Sequence, residues 1–168
     1  MTDSKRARRA LSIAAGVAVA VTATLAGAKA QAQETVDSCR ATVGYKVNPG
    51  GGAWGAVDAN SDAFLSRRSL ASCEVKVVGT SVKGKPATTT EILPGPMTSD
   101  ECSMYNSLSS VDSKLNQAKL SEAHSVITAM LAKVDDLYAT GKLTQAGQQA
   151  IGSAGRTVRT CISTLMSQ

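Results

Sequence analysis

PGPMTSDECSMY, residues 94–105, is where the chain changes character. Pro94 and Pro96 cannot donate to a ladder, so they are expected to end a strand-rich stretch. Thr98 followed three residues later by Glu101 forms a capping box, and Asp100 and Glu101 suit the positive end of a helix dipole, so a helix starts here. Upstream the composition is Val, Thr and Gly; downstream the apolar residues recur every three or four positions. The expected fold class is α+β: a small antiparallel sheet with a long Gly-rich loop, then a helical hairpin or three-helix segment, the whole stapled by disulfides.

Downstream, Cys102, Tyr105, Leu108, Val111, Leu115 and Ala118 make one apolar stripe, and Leu120, Ala123, Ile127, Met130 or Leu131, Val134 and Leu137 or Tyr138 make a second. AKLSEA between them has neither Gly nor Pro, so residues 99–139 form one long helix or two joined near Ser121. Gly141 is placed to end that segment and Thr144 to open the last helix, whose inner face reads Ala146, Ala150, Ala154, Val158, Ile162 and Leu165. Gly147, Gly152 and Gly155 cost this helix about 1 kcal/mol each relative to Ala, tolerable where small residues allow close packing.

Upstream, RATVGYKV (40–47) and CEVKVVGT (73–80) alternate as strands do, and ATTTEIL (87–93) is rich in β-branched residues. Lys83-Gly84-Lys85-Pro86 reads as the turn between the last two, which predicts a meander of about three strands. NPGGGAWGAVDANSDAFLSRRS (48–69) interrupts it, too long for a mere connection and therefore expected to be functional or mobile.

Cys39, Cys73, Cys102 and Cys161 are spaced by 34, 29 and 59 residues, without a Cys-x-x-Cys knuckle. With His124 the only histidine, a zinc site and a cysteine nucleophile both lack their partners. Two disulfides are the expected use of an even number. The hairpin would bring Cys73 to Cys102 and leave Cys39 to join Cys161; the alternative is Cys39–Cys73 with Cys102–Cys161.

The N-terminus reads as an export signal: Lys5, Arg6, Arg8 and Arg9 precede ALSIAAGVAVAVTATLAGA, and cleavage is expected after Ala30 or Ala32. Arg8-Arg9 leaves the twin-arginine route open beside the general one. Residues 1–32 hold five of the 18 basic residues and one of the 13 acidic ones, so the remainder, 13 against 12, has a net charge of +1. The basic balance thus argues for no nucleic-acid partner, and a cleaved signal leaves no stable membrane span. The expected layout is 1–32 signal, 33–96 β-rich half and 97–168 α-helical half, the two halves forming one domain.

In the long loop, Asp58, Asn60 and Asp62 alternate like the first ligands of a calcium loop. Ala63 stands where that loop needs Gly, and Ser69 where it needs a bidentate Glu. What is left is turn formation, or weak calcium binding completed by backbone carbonyls, Asp37 or Glu74. PGGGAWG lacks the Gly-Lys-Ser/Thr ending of a phosphate loop. Trp54 and Phe64, the only Trp and Phe, either fold back over the strands or, with Arg67 and Arg68, offer a binding contact. The adjacent acids Asp135 and Asp136 point different ways on a helix and make no catalytic pair.

Residues 107–158 resemble the helical modules called FIMAH domains of exported bacterial proteins. Leu115 and Ala118 match a Lys-Leu-x-x-Ala pattern, Leu131 and Val134 an apolar series, and Gly141-Lys142-Leu143-Thr144 a turn into an Ala-rich helix. The family's Gly- or Asn-containing break between the first two helices is missing. The resemblance implies an accessory or binding role without catalytic residues. The expectation for function is an exported, non-catalytic binding or accessory protein, secreted or periplasmic, acting on an extracytoplasmic protein or glycan and using no cofactor. Rivals are a secreted hydrolase or hydrolase inhibitor using loop 48–69, and a structural subunit of a cell-surface assembly.

Overall fold

A computed structural model of the chain describes residues 34–66, 69–80 and 86–168. The predicted signal (1–32), Arg67, Arg68 and most of the hairpin turn lie outside the described residues. Five helices and one two-stranded antiparallel sheet follow in the order α1 (Val36–Val43), α2 (Gly52–Asp58), a 3-10 turn (Ser61–Ala63), β1 (Ser69–Thr80), β2 (Pro86–Thr98), α3 (Ser99–Asn116), α4 (Leu120–Ala139) and α5 (Gln145–Met166). This is a small α+β fold stapled by Cys39–Cys161 and Cys73–Cys102, each with Cα atoms 5.5 Å apart. Cys73 lies opposite Leu93 in the hairpin, beside the first turn of α3. That placement rules out the alternative pairing with Cys39. Among the described residues no helix is long and apolar enough to cross a membrane.

The helices from α3 onward form for the reasons their sequence states. Thr98 and Glu101 make the reciprocal capping box, and Thr144 accepts from the Gly147 amide at the start of α5. Leu108, Val111 and Leu115 of α3 meet Ile127, Met130 and Val134 of α4 and Ile151, Val158 and Ile162 of α5 in one core. In its N-terminal half the buried face of α5 is displaced by one residue from the expected one, with Gly147, Ile151 and Gly155 inward and Ala146 exposed, while Val158 and Ile162 are buried as expected. Close approach explains the shift. A Cβ on Gly155 would stand 2.9 Å from Leu131 Cδ2, and one on Gly147 would stand 2.5 Å from Ala63 Cβ.

Residues 99–139 are two helices, and the break comes without glycine. The Lys119 amide donates to the Lys114 carbonyl and the Ala118 amide to that of Leu115, a Schellman pattern in which Ala118 takes the left-handed position at φ 55°. A Cβ in that conformation is strained, and Ala118 is exposed, so it packs nothing in return. Ala118→Gly is expected to raise stability by about 0.5–1 kcal/mol, read as a higher urea midpoint at unchanged m; a lower midpoint would refute the assignment.

The N-terminal part differs from its expectation. The segment 40–47 is not a strand: Thr35 and Ser38 form a capping box, Asp37 sits in the first turn, and Cys39 and Val43 bury one face of α1. The cysteine and the valine are spaced for a helix as well as for alternation, and only the helix puts Cys39 against α5. The meander is therefore a two-stranded hairpin. Nor is 48–69 an open loop. Ala53 and Val57 bury one face of α2, and the glycines let backbones touch: a Cβ on Gly44, which ends α1 at φ 79°, would stand 1.8 Å from the Gly51 carbonyl oxygen. The 3-10 turn is held by Leu65 and Thr144 amides donating to Lys142 and Ala63 carbonyls, 2.7 and 3.0 Å.

The prolines do not end β2 either. It runs through Pro94 and a cis Gly95–Pro96 bond to Thr98, with an irregular register between Leu70 and Ser72. Asn106 Nδ2 donates to the Glu74 carbonyl and Ser109 Oγ to that of Lys76, so even-numbered residues of β1 turn their backbone groups away from β2. Their partners on β2 do the same on the far side. Pro94, paired with Ser72, is one of these, so its missing N–H removes no bond from the ladder.

Candidate functional site

Alternation along the hairpin sends Cys73, Val75 and Val77 into the core and leaves Lys76, Val78 and Thr88 on the opposite face. Along α3, Asn106, Ser110, Ser113, Lys114 and Gln117 recur at helical spacing and form a polar stripe beside that face. Between the two lies a groove of about 530 Å³ lined by these eight residues, within the usual size of ligand sites. The bonds from Asn106 (3.0 Å) and Ser109 (2.8 Å) to the β1 backbone fix strand and helix as its two walls.

Not every polar group in the groove is free to bind. The Asn106 amide serves the Glu74 and Cys102 carbonyls, the Gln117 amide donates to Ser113 Oγ at 3.0 Å, and Lys114 is paired with Glu122. Among the described residues, the Lys76 ammonium has no carboxylate partner, and the Ser110 and Thr88 hydroxyls have no hydrogen bond. No lining residue is a carboxylate, imidazole or thiol. The arrangement presents donors and positive charge, which is chemistry for holding an acidic or acceptor-rich group.

The residues singled out from the sequence fall elsewhere. Trp54 on α2 is half-buried, stacked on Tyr45 (centroids 4.3 Å apart) and tilted against Tyr105 (4.6 Å). With two rings packed on it, little of its own face is open to a ligand. Phe64 is buried and bridges to Leu143. Asp58 ends α2, the Asn60 amide donates to the Ala56 carbonyl at 2.8 Å, and Asp62 is exposed in the 3-10 turn. The three positions thus lie on the end of α2 and the 3-10 turn that follows it. Among the described residues the one trio with metal-ligand spacing is Glu34, Cys39 and Cys161, whose two sulfurs are already joined to each other.

Two raised titrations lie in the aromatic cluster. Burial pushes the Tyr45 phenol well above its ordinary value, and its hydrogen bond to Glu91 adds to this; burial does the same for Tyr105, helped by Asp58 and Glu101. Glu91 is held below the usual carboxylate range by Lys46 and then by Tyr45. Arg40 of α1, half-buried, is held charged by its bond to Asp112 of α3. Tyr45, Arg40 and Asp112 carry no local sequence signal for these contacts, and Tyr105 shows only as one position of the α3 apolar stripe. The α3 polar stripe was legible as a period, but nothing local says that a strand runs beside it.

Compared with known proteins, the chain matches no family model, no curated protein and no solved structure.

Proposed function

We propose that this chain is an exported, non-catalytic binding or accessory protein whose hairpin–α3 groove holds an acidic group of an extracytoplasmic protein or glycan. The observation that carries the reading is Lys76, without a carboxylate partner among the described residues, beside two hydroxyls uncommitted among them, in a groove walled by rigid elements. Export is supported by the basic and apolar leader together with two disulfides, which persist in oxidising compartments. The buried acids support the non-catalytic reading, since Asp112 is held by Arg40 and Glu101 closes the α3 cap.

Titration with uronate-bearing and sulfated oligosaccharides and with acidic peptides, followed by amide chemical shifts, tests this. Shifts are expected at Lys76, Ser110 and Thr88 with one of these classes. Lys76→Glu should weaken that binding by about tenfold or more, ~1.4 kcal/mol, while leaving the thermal midpoint unchanged. Shifts confined to other surfaces, or none with any probe, would remove the groove from consideration.

A further inference from the structure

We propose that β2 is a self-pairing edge, through which two copies of the chain join by antiparallel strand addition centred on Thr90.

The two edges of the hairpin are treated differently by the fold. That of β1 is covered by α3, whose Asn106 and Ser109 side chains take the outward Glu74 and Lys76 carbonyls. On β2 the residues paired with Lys76, Glu74 and Val78 are Thr90, Ile92 and Thr88, whose backbone groups therefore point away from β1. Among the described residues nothing bonds to them. Protein edges are ordinarily blunted by charge, proline or a covering element. Here the run from Ala87 to Thr90 is uncharged, its three threonines are β-branched, and Ile92 is 65% exposed.

The prolines say what kind of partner fits. Pro86 and Pro94 occupy outward-pointing positions of the same edge, paired with Thr80 and Ser72, and neither has an N–H to give. They stand at equal distances either side of Thr90. A second copy of β2 laid antiparallel about a two-fold axis at Thr90 sets Thr88 opposite Ile92 of the second copy and Thr90 opposite Thr90. Each of these pairs can exchange both backbone bonds. Shifting the copy by two residues in either direction leaves half-bonded pairs between the prolines, Thr88 against Pro94 or Ile92 against Pro86, because proline has no N–H to return. Centring it on residue 91 sets Glu91 against Glu91, a like-charge contact, whereas the Thr90 register sets Glu91 against Thr89. The Thr90 register is thus the one in which every outward pair between the prolines exchanges both bonds. The product is a four-stranded sheet in the order β1-β2-β2-β1, with both Lys76 faces on the same side.

Sedimentation equilibrium of the purified, oxidised protein should show a concentration-dependent mass that reaches two chains. Thr90 is exposed, so Thr90→Lys should keep the fold, its thermal midpoint lowered only slightly by the lysine facing Lys76 across the hairpin, yet weaken association by more than about tenfold, because the two-fold sets lysine against lysine. Thr90→Glu should weaken association likewise. An equimolar mixture of the two variants should recover the two-chain mass, since the axis makes residue 90 face only its counterpart. A wild-type chain that stays monomeric up to millimolar concentration would overturn the proposal. So would a dimer indifferent to both substitutions, or one that the mixture fails to restore. None of these outcomes bears on Lys76, so the groove and the edge stand or fall separately.

Discussion

Replacing Cys39 and Cys161 together by alanine is expected to remove about 4–5 kcal/mol of stability. The bridge joins α1 to α5 across 122 residues of sequence, and closing a loop of that size restricts the unfolded chain by roughly that amount in the chain-entropy account. A single small domain has only about 5–15 kcal/mol in total, so the loss brings this one to the margin of folding at 37 °C. Cys73–Cys102 spans 29 residues, and removing it should cost about 3.5 kcal/mol by the same account. Urea unfolding of the two double variants, with m recorded as well as the midpoint, tests the order of the losses. A larger loss for the shorter loop would show that local packing around Cys73, not chain restriction, sets the contribution of these bridges.

The second large effect is expected at Asp112. Arg40 Nε lies 2.9 Å from Asp112 Oδ1 and Nη2 lies 3.2 Å from Oδ2, a two-pronged contact tying α1 to α3, with side-chain exposures of 16% and 6%. Asp112→Ala leaves a guanidinium largely out of water without its counter-charge, and breaking a buried pair from one side costs about 3–5 kcal/mol. Arg40→Met with Asp112→Leu should recover most of that loss, because both desolvation penalties vanish together. The four stabilities of this cycle give the coupling directly. A loss below about 1 kcal/mol for Asp112→Ala would mean that solvent, or Asp37 at 3.6 Å from Arg40, replaces the missing carboxylate.

How much was legible depended on how local the deciding interaction is. Thr98 with Glu101, and Thr144 at the start of α5, are signals complete within one helical turn, and both helices begin where those residues stand. The hairpin was legible because β-branched alternation and a Lys-Gly-Lys-Pro turn agree with one another. Ala118 was not, since a left-handed alanine is held by the Lys119–Lys114 bond and by the packing of α3 on α4, neither of which a pattern of apolar residues records. The candidate site was half legible: the polar stripe of α3 is periodic, but Lys76 belongs to it only because α3 bonds to the β1 backbone. Trp54 drew notice for its rarity, and the two tyrosines that cover it come from distant parts of the chain.

By itself the sequence determined the α+β class, a helical C-terminal half with the caps that open α3 and α5, the hairpin and a preferred set of disulfide partners. Capping, periodicity and β-branching act over a few residues and need no distant neighbour. Only the tertiary structure decided that 36–43 is a helix, that the glycine-rich stretch folds as α2 and a 3-10 turn, and which edge of the hairpin is covered. In RATVGYKV the local preferences for helix and strand are close to balanced. The choice falls to what Cys39 and Val43 can bury, and that is set by α3 and α5, more than fifty residues away in sequence.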